Sequence, residues 1–180
     1  FAQSSNVATV RLFEQIGDGA VIRTARDLGV TSPLAEKDPS LALGTSTMTL
    51  LELTAAYAGI AGNAYPVVPR AFAEEEMGWI ERLIWGPKRF GARVHEDMEQ
   101  LLRSAVNRGT GRAARLSVPN FGKTGTSQGN RDALFVGYAN GLVVGVWVGR
   151  DDNQPLKGIS GGGVPARIWR DFISNATGKR

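Results

Sequence analysis

Phe121-Gly122-Lys123-Thr124-Gly125-Thr126-Ser127, followed at once by Gln128-Gly129-Asn130-Arg131-Asp132-Ala133, decides how this chain is read. The stretch predicts a strand carrying a lysine and two hydroxyls, a polar turn, and then a second strand. Thr124 and Thr126 lie two residues apart, so on a strand they face the same side and can both donate to one carboxylate. Lys123 adds positive potential over that carboxylate. Gly125, between the threonines, removes a side chain where a substrate would lie along the strand edge. Three such residues in isolation are as readily a solvated edge strand, so the surrounding chain has to decide.

Working outward, Asp132 to Ala139 and Leu142 to Gly149 read as two further strands, and Ala139-Asn140-Gly141-Leu142 is a two-residue hairpin signal. Asp151 to Gly163 is a glycine-rich loop, and Asp151-Asp152-Asn153 within it lacks the glycine and distal glutamate of a calcium loop. Pro165 begins a last helix with Ile168, Trp169, Phe172 and Ile173 expected inward, and Trp147 is expected to pack on Trp169. Upstream, Val94, Met98, Leu101, Leu102, Ala105 and Val106 fall at helical spacing, with the chain's one histidine, His95, at a non-core and exposed position. Thr49-Leu50-Leu51-Glu52 is a capping box opening an all-round apolar, hence buried, helix to about Ala61. Ser5 or Asn6 caps a first helix that Gly17 and Gly19 break, and a second runs from Ala20 to Leu28. Val67 to Phe72 and Trp79 to Trp85 are expected to form a short hairpin around an acidic turn. Helices, then an antiparallel meander, then a covering helix make an α+β layout.

Composition sets limits. The length of 180 residues allows one domain, and 42% apolar residues suffice for a packed core. Without cysteine there is neither a disulfide nor a thiolate metal site, and no metal site is expected around the lone histidine. The net charge of +4 comes from dispersed Lys and Arg with no aromatic-basic signature, which argues against nucleic-acid binding. No apolar run approaches the roughly 18 residues of a spanning helix, and no signal peptide is expected within these 180 residues.

Five segments in order, SSN at Ser4 to Asn6, LALGTSTMTLLELTAAYAGIAGN at Leu41 to Asn63, GTGRAA at Gly109 to Ala114, FGKTGTSQGNRDALFVGY from Phe121, and LVVGVWVGRDD with GGGVPARIWRDF after it, resemble the transpeptidase domain of bifunctional, class A penicillin-binding proteins. The resemblance covers nearly the whole chain, with Glu74 to Gln100 the least typical stretch. One departure matters. The family's nucleophile belongs to a Ser-x-x-Lys motif upstream of Ser-x-Asn, and none of the ten serines here is followed three positions later by lysine. The expectation is that residues 1–180 are the C-terminal part of one such domain, with the nucleophile and a completing hairpin before Phe1.

The resemblance implies a β-lactamase/transpeptidase-like fold whose five-stranded sheet is incomplete in this chain. It implies a peptidoglycan D,D-transpeptidase that cross-links stem peptides by serine acyl transfer, is blocked by β-lactams and needs no cofactor. Ser4 and Lys123 would be catalytic, Ser4 relaying protons and Lys123 biasing the electrostatics near it. Asn6, Thr124 and Thr126 would bind substrate, and the Thr126 backbone N–H would form half of the oxyanion hole. The implied partners are a D-Ala-D-Ala donor stem and β-lactams, at the extracytoplasmic face of the bacterial inner membrane, in the periplasm. The chain alone would be inactive, and would need its missing half or self-association to cover exposed apolar surface. The rival readings are a D,D-carboxypeptidase or serine β-lactamase, and a non-catalytic binding module of the same fold. The combination of Gly109-Thr110-Gly111, the GVWVG run at Gly145 to Gly149 and Trp169-Arg170-Asp171-Phe172 speaks against the first.

Overall fold

A computed structural model describes residues 1–72 and 86–178. Three strands, β1 (Phe121–Thr126), β2 (Asp132–Ala139) and β3 (Leu142–Gly149), form an antiparallel sheet in the order β1-β2-β3. The hairpin between β2 and β3 is the expected tight one. Asn140 and Gly141 both take positive φ, 50° and 78°, as a mirror-image turn requires, and Ala139 pairs with Leu142.

The sheet is covered on both faces, and the period of two along β2 sorts the cores. Phe135 and Ala139 point to α5 (Val164–Thr177), whose Ala166, Trp169 and Ile173 are fully buried against them. Tyr138 points the other way, to Ile60 of α3 (Leu50–Ala61) and Leu102 of α4 (Ala92–Arg108). Phe121 stacks on Tyr138 with ring centroids 4.8 Å apart on that side. Trp169 meets Phe135 at 5.2 Å and donates its indole N–H to the Gly137 carbonyl, so its one polar atom is satisfied without exposure. Truncating such a residue to alanine typically costs about 3–5 kcal/mol.

Several expectations are corrected. Trp147 does not pack on Trp169. It lies opposite Leu134 in the β2–β3 register, one step out of phase with Phe135, so it sits on the other face, where it is 46% exposed and donates to Asp132 Oδ1. On α5, Ile168 and Phe172 are 45% and 53% exposed, because the buried stripe runs through Pro165, Ala166, Trp169 and Ile173 instead. The Thr49 capping box is present as expected, but α3 is not buried all round: Leu51 is 63% exposed while Ala55, Ala56, Gly59 and Ile60 face inward. His95 is half-buried, and its Nε2 lies 2.7 Å from the Ile60 carbonyl at the end of α3. No strand forms over residues 67–72; just before them Tyr65 makes an isolated bridge with Lys88, and Trp79 to Trp85 lie outside the described residues.

Two helices precede this layer, α1 (Asn6–Ile16) and α2 (Asp18–Asp27), with Gly17 between them. Gly19 does not break the chain but lies within α2, whose start moves forward to Asp18. Glu52 ties the helical side together. It closes the capping box through the Thr49 N–H, and it accepts from the backbone N–H and hydroxyl of both Thr31 and Ser32. These donors, led by the Ser32 hydroxyl, hold its carboxyl far below the ordinary value of 4.5. A carboxyl held down in the folded state stabilises the fold above its ordinary value and loses that contribution as pH falls below it. Glu52→Gln should therefore lower the melting temperature at neutral pH and flatten the loss of stability below about pH 4.5. Thermal melts of both proteins across roughly pH 3 to 7 check this; parallel curves would remove Glu52 from the acid response.

Candidate active site

The outer edge of β1 has no strand partner among the described residues, and residues distant in sequence gather there. Phe1 to Ser4 make a turn closed by the Ser4 N–H on the Phe1 carbonyl, with Ser4 at φ 50°. A non-glycine residue in that region carries a strain of order 1–3 kcal/mol, and the surroundings must hold it. They do so from the end of α4. The Ala2 carbonyl accepts the Thr110 N–H at 3.1 Å, and Gln3 Nε2 donates to the Arg108 carbonyl. Gly109 is required by this approach, since a Cβ there would fall 2.1 Å from the Ala2 carbonyl oxygen.

The turn aims the Ser4 hydroxyl at β1, where Lys123 Nζ donates to Ser4 Oγ at 2.5 Å and to the Thr124 carbonyl at 3.1 Å. The Phe1 ring lies 5.8 Å from the same ammonium. Partial burial pushes the Lys123 pKa below its ordinary 10.5. Ser5 does the capping of α1, accepting from the Ala8 N–H, so Asn6 is free of that duty and stands exposed as the first residue of the helix.

Thr124 and Thr126 point to the opposite face of β1 from Lys123, as the register against Phe135 and Ala133 dictates. Thr124 Oγ1 lies 2.6 Å from Thr110 Oγ1, and Thr126 Oγ1 accepts the Gly161 N–H at 3.0 Å. Gly125 is needed for a reason other than an open edge: a Cβ there would meet the Leu134 side chain at 2.8 Å. Gly161 and Gly162 form a strap over the β1 end, so close that side chains would strike the Gly125 and Thr110 carbonyls at 2.3 and 2.4 Å.

Ser4, Asn6, Lys123, Thr124 and Thr126 thus line one cleft of about 680 Å³, together with Phe1, Thr9, Leu43, Thr110, Ser160 and Gly162 of the strap. All five residues singled out from the sequence are brought together. Sequence reasoning gave no role to Thr110 or Gly161; the GTGRAA and GGGVPAR segments that contain them were visible only as parts of a resemblance. Among the described residues no group of His, Asp and Glu could hold a metal ion. Arg150 and Asp152 pair with each other in the loop beyond β3.

Residues 1–174 match the family described as the penicillin-binding protein transpeptidase domain. The chain belongs to that family. Penicillin-binding protein 1A of Aquifex aeolicus is 35% identical over 98% of the chain, and penicillin-binding protein 1B of Escherichia coli 32% identical over 97%. The chain spans 25% and 21% of those two proteins' lengths. In fold it is similar to the crystal structure of penicillin-binding protein 1A from Haemophilus influenzae, with a TM-score of 0.81 and 19% identity, covering 97% of this chain and 33% of that one. A second likeness is penicillin-binding protein A of Mycobacterium tuberculosis, with a TM-score of 0.70 and 20% identity over 98% of this chain and 46% of that one. The α+β fold expected for a penicillin-binding transpeptidase domain is borne out by these likenesses.

The half-buried ammonium yields a direct measurement. In an NMR titration with labelled lysine, the Lys123 side chain should titrate below 10.5. A value at or above 10.5 would mean that the cleft keeps this group as hydrated as a surface lysine.

Proposed function

We propose that this chain supplies part of the active site of a peptidoglycan D,D-transpeptidase. The observation that carries the reading is the Lys123–Ser4 hydrogen bond, which joins groups 119 residues apart within a cleft also lined by Asn6, Thr124 and Thr126. The donor is a stem peptide ending in D-Ala-D-Ala. A serine of a Ser-x-x-Lys motif, outside the 180 residues, attacks the penultimate carbonyl. The C–N bond breaks, the terminal D-Ala leaves with a proton, and an acyl-enzyme remains. The amine of a neighbouring stem then attacks that ester, forms the cross-link and returns the proton to the serine. A β-lactam enters the same way, but its opened ring stays attached.

Within this scheme Ser4 relays the proton to the leaving nitrogen, and its hydrogen bond from Lys123 fixes where its own hydrogen points. Lys123 stabilises negative charge developing on that path, and does so more strongly for being partly desolvated. Asn6 hydrogen-bonds a peptide carbonyl of the donor. Thr124 and Thr126 hold the terminal carboxylate, and the Thr126 N–H forms half of the oxyanion hole. The work takes place at the extracytoplasmic face of the inner membrane; no helix among the described residues is long and apolar enough to cross it. The same reading makes residues 1–180 the C-terminal part of one domain, whose remaining strands cover the open sheet edges.

Two outcomes are expected of the isolated chain. The isolated chain should form no covalent adduct with a fluorescent penicillin, since no serine in it has a lysine three positions on to activate it. Light scattering should find it associated rather than monomeric, because open edges and apolar residues such as Phe172 and Trp147 recruit partners. Stoichiometric labelling, or a monodisperse monomer, would contradict the respective half. In the full-length protein, Lys123→Ala should slow acylation by roughly two orders of magnitude with an unchanged melting curve. Acylation near the wild-type rate would make Lys123 a bystander.

A further inference from the structure

The two threonines of β1 each meet a polar group from behind, and the two contacts differ in kind. Thr126 Oγ1 accepts from the Gly161 backbone N–H. An N–H can only donate, so this contact uses a lone pair of the Thr126 oxygen and leaves its hydrogen for something else. Thr124 Oγ1 and Thr110 Oγ1 lie 2.6 Å apart, and either can be the donor. The direction of that bond decides what Thr124 offers the cleft. If Thr124 donates to Thr110, it presents only lone pairs to a ligand. If Thr110 donates to Thr124, the Thr124 hydrogen is released.

Thr110 is built to be held in place. Its N–H is taken by the Ala2 carbonyl, and the strap at Gly162 presses on its own carbonyl. Gly109 before it lies so near the Ala2 carbonyl that a side chain could not fit, and Gly111 after it packs closely on the Phe135 ring. The backbone that carries the hydroxyl is therefore fixed, and the 2.6 Å contact with Thr124 sets where the hydroxyl lies. It lines the cleft beside Thr124.

We propose that Thr110 is a positioning residue for carboxylate recognition: its hydroxyl donates to Thr124, which turns the Thr124 hydrogen onto a ligand carboxylate. Gly161 N–H does the same for Thr126. An anion in the cleft selects this direction, because the reverse would set lone pairs against negative charge. Each hydroxyl then passes polarisation from a rigid donor to a charge-assisted hydrogen bond. The inference rests on the transpeptidase reading of the cleft and adds to it the group that orients the carboxylate clamp.

The test uses the full-length protein, with benzylpenicillin and its methyl ester as probes and intact-protein mass as the readout of acylation. Thr110→Val keeps the β-branched shape and removes the hydroxyl; Thr110→Ser keeps the hydroxyl. With benzylpenicillin, Thr110→Val should lower the second-order acylation constant about tenfold, the weight of one lost hydrogen bond to a charged arrangement. Thr110→Ser should stay within about threefold of the wild type. With the methyl ester, whose carboxylate is masked, Thr110→Val and the wild type should react alike. Equal loss with both probes would mean that the valine variant only distorts the site, and no loss with benzylpenicillin would mean that Thr124 needs no orienting; either overturns the relay alone. A wild-type protein that neither probe acylates overturns the transpeptidase reading, and the relay with it.

Discussion

The cleft depends on one backbone approach, the Ala2 carbonyl lying against Gly109 and accepting the Thr110 N–H. It brings the first turn of the chain to the end of α4. From there Ser4, in a left-handed conformation, reaches Lys123. The hydrogen bond itself has an ordinary net worth of about 1 kcal/mol. Its effect comes from geometry: without it the Ser4 hydroxyl has no fixed relation to β1, and Thr110 has no fixed relation to Thr124. A methyl group at residue 109 would be enough to break the approach, which makes this glycine a matter of space rather than flexibility.

The sheet does the complementary work. The alternation of β1 sends Lys123 to one face and the two threonines to the other, so the cleft wraps round the strand edge instead of lying on a face. Each side has its own support. Helix α4 and the Phe1–Ser4 turn stand beside Lys123, and the Gly161–Gly162 strap, leading into α5, closes over the threonines. Trp169 and Phe135 lock α5 to the sheet beneath. Lys123 and the two threonines are thus held by separate packing units that share one strand.

Much of this was legible in the sequence where the signal is local. The three strand ranges follow from alternation and from Asn140-Gly141, and the start of α3 follows from the Thr49–Glu52 box, because each depends on neighbours a few residues away. The misreadings share a cause as well. Trp147 and Trp169 are both large and apolar, but parity along β3 puts Trp147 on the far face, and parity is only as good as the register. Ile168 and Phe172 lie one position, about 100° of rotation, from Trp169 and Ile173, and adjacent apolar residues do not by themselves say which of them faces inward. His95 found a helix-end carbonyl that no spacing rule names. The five cleft residues were found through motifs. Thr110 was not, since its role exists only through groups at residues 2, 124 and 162.

The long reach of these contacts bears on when the cleft can form. Ser4 and Lys123 are separated by 119 positions, Gln3 and Arg108 by 105, and Thr126 and Gly161 by 35. Closing loops of that length costs conformational entropy before any contact repays it, and non-local contacts of this kind slow folding. The helices α1 and α3 and the β2–β3 hairpin hold local contacts and can form early. The cleft cannot, because its first wall leaves the ribosome more than a hundred residues before its second, and the strap later still. The cleft therefore appears only when the last third of the chain has folded back on the first turn.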